Sequence, residues 1–441
     1  MNKQSIVISC PIDTYSGYGA RSRDLVRAII ELDKYDVKVL PQKWGGTRWG
    51  YLRDHKDDLI IPTVVGKIES KPDIWIQISV PNEFQKVGNY NIGITAGMET
   101  TLCHHSWITG ANNMDLILAS SNHTVTAFRN SKFQMTDKRT NQVTHNVEFN
   151  TKVEVLFEGA DITKYFPTKS SVSLTELEQE LDTIPESFCF LTTGHWMQGK
   201  FGEDRKNIGV TIKAFLDTFK NKKNPPALVM KCHTSSTSIM DRERMLEKIE
   251  NIRRLVKGKL PNIYLLHGEV TDEEMNLLYN HSKIKALVSI PKGEGFGRPF
   301  LEFSLANKPI IASKWSGQLD FLDQEFVMYI GGKLTKVDQS AAIKDMILTE
   351  AEWFSADPLE VSKAYKEIFK NYSKWLTKAK RQGHKSRTEF NFDKMKSKLE
   401  TILDENVVKA PTQVGLQLPK LKKLGTNTEQ PKLKLPKLKK L

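Results

Sequence analysis

Short apolar runs alternate with amphipathic stretches from the N-terminus to Phe157. The apolar runs predict buried strands, and between them apolar residues recur with helical spacing, as they do in the stretch that follows Gly19. The predicted strands are Ser5–Cys10, Val37–Leu40, Ile74–Ile78, Ile92–Thr95, Leu116–Ala119 and Val153–Phe157. This alternation predicts a parallel sheet covered by helices on both faces.

A second series of the same kind begins at Ser187, after a polar stretch, Pro167 to Glu186, that contains a short acidic helix pattern. Its predicted strands are Phe188–Thr193, Ala227–Lys231, Ile263–Leu266, Ala286–Ile290 and Pro309–Ser313. Its predicted helices include Ile208–Phe219, Asp241–Val256 and Asp272–Tyr279. Amphipathic patterns at Pro358–Ala379 and Phe392–Leu403 predict helices that close the fold.

The two series predict an α/β protein with two doubly wound, Rossmann-like domains that face each other across a cleft. A length of 441 residues agrees with two such domains. The predicted divisions are a first domain at 1–166, a linker at 167–186, a second domain at 187–357, closing helices at 358–407 and a tail at 408–441. Sheets of this type bind ligands at the carboxyl ends of their strands, so we expect the site there.

The composition, 39% hydrophobic and 27% charged, is that of a soluble globular protein. No segment approaches the roughly 20 apolar residues of a membrane span, and the N-terminus lacks a signal-peptide pattern. The four cysteines are far apart and form no CxxC pair, so we expect neither a zinc site nor a disulfide framework. A cytoplasmic location is therefore expected.

Most of the positive charge lies at the C-terminus. Residues 408–441 hold nine lysines and one acid, and so carry +8 of the net charge of +13. The preceding 407 residues therefore carry +5 and are only mildly basic. For this reason the high isoelectric point alone does not indicate that the folded part binds nucleic acid.

A glycine-rich turn follows the predicted strand that ends near Ile290. It contains Gly293, Gly295 and Gly297, and Pro299 is suited to be the first residue of the helix that follows. The free N–H groups of such a helix point back at the turn and suit a diphosphate. The glycines let a ligand approach the backbone closely.

Two acids, Glu294 and Glu302, are placed in this turn and helix with seven residues between them, where carboxylates can accept hydrogen bonds from sugar hydroxyls. The context, EGFG…LE followed by NKPIIASKWSGQLDFL, resembles the E-x7-E signature of retaining GT-B glycosyltransferases. The resemblance is to the family 4 type, glycosyl transferases group 1, which is related to glycogen and sucrose synthases. It extends over residues 5–330, through similar segments at 15–25, 92–128, 153–167, 191–215 and 263–282.

The resemblance implies roles for several residues. Glu294 would contact the transferred sugar, Glu302 would bind the nucleotide ribose, and Lys206 with Arg205 would neutralise the leaving diphosphate. The simpler interpretation of Lys206 is a loop cap. The other residues implied in donor binding are Gly194, Gly293, Gly295, Phe296 and Gly297.

The family uses a nucleotide sugar as co-substrate and needs no metal or other cofactor, and the sequence shows no metal-ligand cluster. It commonly has an arginine after the glycine that corresponds to Gly194, whereas His195 and Trp196 follow here. Lys200, Arg205 and Lys206 are the basic residues that come next, and the sequence leaves open which of them replaces that arginine.

In the first half, Gly17 and Gly19 either present backbone N–H groups to a ligand or only shape a strand-to-helix turn. Glu99, His104 and His105 are the candidates for the acceptor side of the cleft, and each has a structural role as its alternative. Trp44 and Trp49, which flank a loop, are interpreted as packing residues rather than as a stacking surface for an acceptor.

The tail contains the heptad LPKLKKL twice, at 418–424 and 435–441. Recurrent proline opposes helix formation, so we expect a disordered basic tail. Two identical motifs on a tether suit bivalent docking to a protein partner, which ranks ahead of binding to nucleic acid and to anionic lipid.

These observations predict a metal-independent retaining glycosyltransferase that moves a sugar from a nucleotide-sugar donor to an unidentified acceptor. Three alternatives remain open. The basic tail resembles viral enzymes that glycosylate modified bases in DNA, which would act in the host cytoplasm; the fold is shared with sugar-nucleotide epimerases; and a catalytically silent body could serve for docking alone. No motif in the sequence identifies the sugar, the nucleotide base or the oligomeric state.

Overall fold

The first series of strands forms a six-stranded parallel sheet in the computed structural model, which describes residues 3–407 except 138, 141, 169–174, 235 and 236. The strands up to residue 155 are β1 (Gln4–Cys10), β2 (Tyr35–Pro41), β3 (Ile74–Ile78), β4 (Tyr90–Thr95), β5 (Leu116–Ala119), β6 (Phe133–Thr136), β7 (Val143–Val147) and β8 (Lys152–Val155). The order in the sheet is β2-β1-β3-β4-β5-β8, and β6 and β7 form a separate antiparallel pair. This hairpin was not predicted, because its exposed strand β7 has no alternation of buried and exposed residues.

Helices connect these strands as the hydrophobic pattern predicts. They are α1 (Gly17–Glu31), α2 (Tyr51–His55), α3 (His105–Ala111) and α4 (Asn122–Asn130). Helix α1 begins at Gly17, three residues before the predicted stretch that follows Gly19, because the Ser16 hydroxyl accepts the Gly19 N–H and caps the first turn.

The second series forms another six-stranded parallel sheet, in the order β11-β10-β9-β12-β13-β14. Its strands are β9 (Cys189–His195), β10 (Ala227–His233), β11 (Ile263–Leu265), β12 (Ile284–Ser289), β13 (Ile310–Ser313) and β14 (Met328–Ile330). The accompanying helices are α5 (Glu176–Asp182), α6 (Ile208–Phe219), α7 (Ile239–Arg254), α8 (Asp272–Asn280) and α9 (Arg298–Ser304). The predicted α/β class with two doubly wound sheets is therefore confirmed.

Two antiparallel strands that the sequence did not predict, β15 (Gly332–Lys336) and β16 (Glu352–Ala356), follow the second sheet. The loop between them has a small apolar cluster of its own, around Trp353. The Thr101 N–H donates to the Glu352 carbonyl at 2.8 Å, and the Glu352 N–H donates to the Thr101 hydroxyl, in the loop after β4, at 2.9 Å. The hairpin thus joins the two halves of the molecule.

Three helices end the described part of the chain: α10 (Pro358–Lys370), α11 (Tyr372–Glu389) and α12 (Phe392–Asn406). The pattern at 358–379 predicted one helix, but the structure has two, which Asn371 separates. Helix α12 packs against α1, and its Met395 and Leu399 are buried in the apolar cluster that also contains Ile6 and Ile8 of the first sheet. The repeats at 418–424 and 435–441 lie outside the described residues.

No helix between residues 3 and 407 has both the length and the apolar character needed to cross a bilayer. In the same part of the chain, no three side chains of the types His, Cys, Asp and Glu are grouped so that they could hold a metal ion.

Candidate active site

The loops that follow β4 and β12 are in direct contact at the carboxyl ends of the two sheets. A Cβ atom on Gly293 would lie 1.9 Å from the Glu99 carbonyl oxygen, and one on Gly295 would lie 2.1 Å from the Ala96 carbonyl oxygen. Both glycines are therefore required by the close approach of the two backbones. The Gly295 carbonyl also accepts hydrogen bonds from the hydroxyls of Ser120 and Ser121, at 3.0 Å and 2.5 Å.

Four charged side chains meet at this contact, and each is one that the sequence singled out. Lys206 donates a hydrogen bond to Glu294, and the Arg205 guanidinium lies 3.4 Å from the Glu294 carboxylate. The same guanidinium lies 3.7 Å from the carboxylate of Glu99, which comes from the first sheet. Two cations and two carboxylates, three of them from the second half of the chain and one from the first, thus form one cluster.

Burial and charge act in opposite directions on this cluster. Burial disfavours ionisation of Glu294, but Lys206 and Arg205 outweigh it and lower the pKa of the carboxyl below its usual value. Burial raises the pKa of Glu99, against the nearby charge of Arg205. Burial lowers the pKa of Lys206, against the attraction of Glu294. Glu294 is therefore the carboxylate of the cluster whose charge the surroundings favour.

Gly194, at the carboxyl end of β9, has a φ of +137° and lies against the side chain of Lys206. A Cβ atom there would be 3.3 Å from Cε of Lys206, so the glycine leaves room for the lysine to reach Glu294. The ring of the next residue, His195, lies 4.1 Å from that of His233, between centroids, at a tilt of 58°, and loss of hydration lowers the pKa of His195 to about 3. Because His195 is neutral, Arg205 and Lys206 supply the positive charge at this strand end.

A narrow gap with no room for a water molecule lies beside Glu294. It is lined by Thr193, Lys206, Leu287, Ser289, Glu294, Pro299 and Phe300. Typical ligand pockets enclose roughly 300–1,000 Å³, so this gap does not accommodate a ligand of ordinary size as it stands.

Glu302 lies on α9 and is paired with Arg298 of the same helix, at 2.7 Å. The Arg298 guanidinium also contacts Asp24 of α1 at 2.5 Å and lies 3.9 Å from Glu158. Burial raises the pKa of Glu302 to about 7, although Arg298 opposes this. No sequence pattern marked Arg298, Asp24 or Glu158, because their relation depends on how the two halves approach each other.

Helix α9 begins one residue earlier than predicted, at Arg298, with Gly297 as its cap at a φ of +102°. Pro299 is the second helical residue. Phe296 is 2% exposed and packs on Phe321 at 4.7 Å, so its ring faces the core rather than the cleft. Only the backbone of Phe296 remains available for a ligand.

Ser316, which the sequence did not single out, has a φ of +76°, a conformation that is unusual for a residue with a side chain. Its hydroxyl accepts the Glu294 N–H at 2.9 Å and donates to the Gln318 side chain at 3.0 Å. The strained backbone of Ser316 therefore helps to hold the turn that carries Glu294.

The remaining candidates of the first half occupy different places. Gly17 opens α1 in open space, whereas a Cβ on Gly19 would lie 2.3 Å from the Thr14 carbonyl oxygen. His104 caps α3 and lies 3.6 Å from Asp345, and burial lowers its pKa. His105 packs against the ring of Phe133. Among the described residues, Glu99 contacts the Arg205 guanidinium, and neither histidine has a hydrogen bond or ion pair with that cluster.

No protein-family model and no curated protein sequence matches the chain significantly. Solved structures do: a glycosyltransferase from Rickettsia africae matches at a TM-score of 0.62 and 13% identity, over 93% of this chain and 100% of its own. Sucrose-phosphate synthase from Thermosynechococcus elongatus matches at 0.60 and 12%, over 91% and 99%. HepE from Anabaena, solved in complex with UDP and glucose, matches at 0.57 and 13%, over 91% and 100%. The protein has two parallel sheets whose carboxyl ends face each other, and its likeness to these structures extends over nearly the whole of each chain. It therefore has the GT-B fold.

Proposed function

We propose that the chain is a glycosyltransferase that transfers a sugar from a nucleotide-sugar donor to an acceptor, with retention of configuration and without a metal ion. The observation that carries the proposal is the cluster of Arg205, Lys206 and Glu294, placed where the two sheets face each other. Such a cluster offers a sugar diphosphate two cations and a carboxylate within one site. Solved complexes of HepE with UDP and with UDP-glucose agree with a nucleotide-sugar ligand for this fold.

The cations have a clear task in such a reaction. As the bond between the sugar and the diphosphate breaks, negative charge grows on the leaving phosphate, and fixed cations in a buried site stabilise it. Arg205 and Lys206 are both largely buried, with side chains 14% and 10% exposed. We assign them to the diphosphate.

The carboxylates have tasks that follow from their positions. Once the phosphates take Lys206, the Glu294 carboxylate is free to accept hydrogen bonds from the hydroxyls of the transferred sugar. Glu302, on the first helix after the turn, is assigned to the nucleotide ribose in the same way. Glu99, which enters the cluster from the first sheet, is assigned to the acceptor side.

In this arrangement the donor takes the place of existing ion-pair partners and does not fill a preformed pocket. In the structure Glu294 is paired with Lys206, and Glu302 with Arg298. The gap beside Glu294 is too small for a nucleotide sugar. We therefore include in the proposal an opening of the two halves before the donor enters.

The first test is a thermal-unfolding screen of the full chain against UDP-, GDP-, ADP- and dTDP-sugars without added metal. A donor at about 100 times its dissociation constant stabilises the fold by about 2.7 kcal/mol. We expect one nucleotide to raise the unfolding temperature of the wild type and of Glu243→Gln, an exposed acid on α7 that serves as the matched control. The response should be lost in Lys206→Ala and reduced in Glu302→Gln. If no nucleotide sugar of the panel raised the unfolding temperature of the wild type, the proposed donor site would be overturned.

The second test measures the reaction. With the donor identified, we expect hydrolysis or transfer that survives a metal chelator, is abolished by Glu294→Gln, and first releases sugar with the anomeric configuration of the donor. Inversion, or dependence on a divalent ion, would remove the corresponding part of the proposal. Donor binding without turnover on any acceptor, hydroxymethylated DNA included, would favour a silent docking body, and conversion to an epimeric sugar would favour an epimerase.

A further inference from the structure

The positive charge of the described chain is concentrated on one helix. Helix α11 contains six lysines and arginines and one acid, so its net charge is +5. Residues 1–407 together also have a net charge of +5, so the residues of this range outside α11 have a net charge of zero. A protein body that is neutral elsewhere thus carries a single strongly basic element.

Most of the basic side chains of α11 reach solvent, whereas Arg387 bonds to the Leu305 carbonyl. One side of the helix packs against the second half of the molecule: Ser386 bonds to Ser304 of α9, and Gln382 bonds to the Phe321 carbonyl. Lys374, Lys378, Arg381 and Lys385 are spaced i, i+4, i+7 and i+11, which places them in one row that borders the packed side, with Lys374 and Arg381 exposed and the other two half-buried. The row is about 16 Å long at 1.5 Å per residue.

Few acids neutralise this row. Lys385 lies 3.2 Å from Asp323, and Lys374 lies 3.8 Å from Glu367. Among the described residues, Lys378, Lys380 and Arg381 have no carboxylate within ion-pair distance. No carboxylate thus competes for these three cations, and Lys380 extends the basic surface to a side of the helix different from that of Lys378, which is two positions away.

A groove of about 670 Å³ runs beside the row. Its lining consists of Asp323, Phe326, Lys380, Arg381, His384, Lys385, Thr388 and Glu389. The Arg381 guanidinium lies 6.0 Å from the centre of the Phe326 ring. The groove therefore combines an aromatic face with a basic wall, whereas its Asp323 carboxylate is already taken by Lys385.

The shape of this surface favours a nucleic acid over a membrane. A helix that binds a bilayer inserts its apolar face between lipids. In α11 the large apolar Trp375 is buried against the fold, and no large apolar side chain of the described helix is exposed. A row of about 16 Å spans a length of duplex that carries about nine phosphate charges, so several cations can engage phosphates at once.

We propose that the exposed face of α11, with the groove beside it, binds the phosphate backbone of a nucleic acid. The inference concerns a surface separate from the Glu294 cluster and does not depend on the proposed reaction. It also assigns the contact to the folded body and not to the lysine-rich tail.

The test uses the full chain and a short fluorescent DNA duplex, with affinity measured between about 50 and 200 mM salt. The test variant is Lys378→Gln/Lys380→Gln/Arg381→Gln. Two controls remove the same charge elsewhere: Lys222→Gln/Lys223→Gln/Lys257→Gln on the exposed surface of the second half, and Lys437→Gln/Lys439→Gln/Lys440→Gln in the tail. Equal unfolding temperatures of the three variants establish that α11 is intact.

We expect the α11 variant to bind more weakly and to lose about 3 from the slope of log affinity against log salt, one for each phosphate contact. Both controls should keep the slope of the wild type. Equal loss in all three variants, loss in the tail variant alone, or no binding of DNA by the wild type would each overturn the proposal. So would binding to phosphatidylserine vesicles that depends on α11 while binding to DNA does not.

Discussion

At the scale of single residues, Glu302 is a carboxyl group whose ionisation the fold opposes. Burial raises the pKa of this carboxyl from its ordinary value of 4.5 to about 7. The folded state therefore binds its proton more tightly than the unfolded state does. The corresponding stability is complete at acid pH and is lost as the pH rises through about 7.

We predict that Glu302→Gln removes this pH dependence. A shift of about 2.5 pKa units corresponds to about 3 kcal/mol. The free energy of unfolding of the wild type, relative to the variant, should fall by an amount of this order between about pH 4.5 and 8. Denaturant titrations of both proteins across that range provide the measurement, and a difference that does not change with pH would contradict the raised pKa.

A second prediction concerns Gly295, where the backbones of the two halves almost touch. In Gly295→Ala the new methyl group would lie 2.1 Å from the Ala96 carbonyl oxygen, so the loops must separate. Overpacking of this kind costs about 1–3 kcal/mol. Gly17→Ala is the matched control, since no atom lies within 4 Å of its added methyl group. Comparable unfolding free energies of the two variants would show that the contact is looser than described.

The sequence located the charged cluster because each member follows a predicted strand. Glu99, Arg205 and Glu294 come from loops at the carboxyl ends of β4, β9 and β12, and parallel strands bring such ends to one edge. The partners of Arg298 could not be found in this way. Asp24 is an acid within a helix and Glu158 an acid within a loop, and only the packing of the two halves brings them to the guanidinium.

At the scale of elements, α12 is far in sequence from the apolar cluster that it completes. Leu399 is fully buried in the cluster that contains Ile6 and Ile8, and 391 positions separate it from Ile8. We predict that Leu399→Ala lowers the free energy of unfolding by about 2–5 kcal/mol. Leu359→Ala, on the exposed side of α10 at 71% exposure, should change it by less than about 0.5 kcal/mol. An effect below 1 kcal/mol at Leu399 would contradict the packing of α12 in this cluster.

The elements that the sequence predicted are those with a buried face. The strands β1, β3 and β9 are almost wholly buried and read as apolar runs. Strands β7 and β15 are mostly exposed and carry polar residues, so their pairing depends on the partner strand rather than on an apolar pattern. The break between α10 and α11 escaped prediction because Asn371 interrupts the helix without interrupting the amphipathic pattern.

At the scale of the whole molecule, Arg298 is a buried cation among three carboxylates and joins α9 to α1. Removing the cation leaves Asp24, Glu158 and Glu302 without its charge. We predict that Arg298→Gln lowers the free energy of unfolding by about 3–5 kcal/mol at neutral pH. The same substitution at Arg242, in an exposed pair with Glu243, should cost less than about 1 kcal/mol. Chemical denaturation of both variants measures the difference, and similar losses would show that Arg298 adds little to the contact between the halves.

The closed contact between the halves also sets an expectation for ligand entry. The loops after β4 and β12 touch through Gly293 and Gly295, and the hairpin of β15 and β16 adds a second contact at Thr101. A donor that binds by opening the cleft should associate more slowly than diffusion allows, because the conformational change precedes binding.

The return of α12 to the first sheet affects how the protein is made on the ribosome. Strand β8 ends at Val155, yet residues 392–407, which complete the apolar cluster of the same sheet, emerge about 250 residues later. At 5–20 residues per second this delay is roughly 10–50 s. During that time the apolar cluster that contains Ile6 and Leu25 lacks the side chains of Met395 and Leu399, so the half of the molecule that is synthesised first completes its packing last.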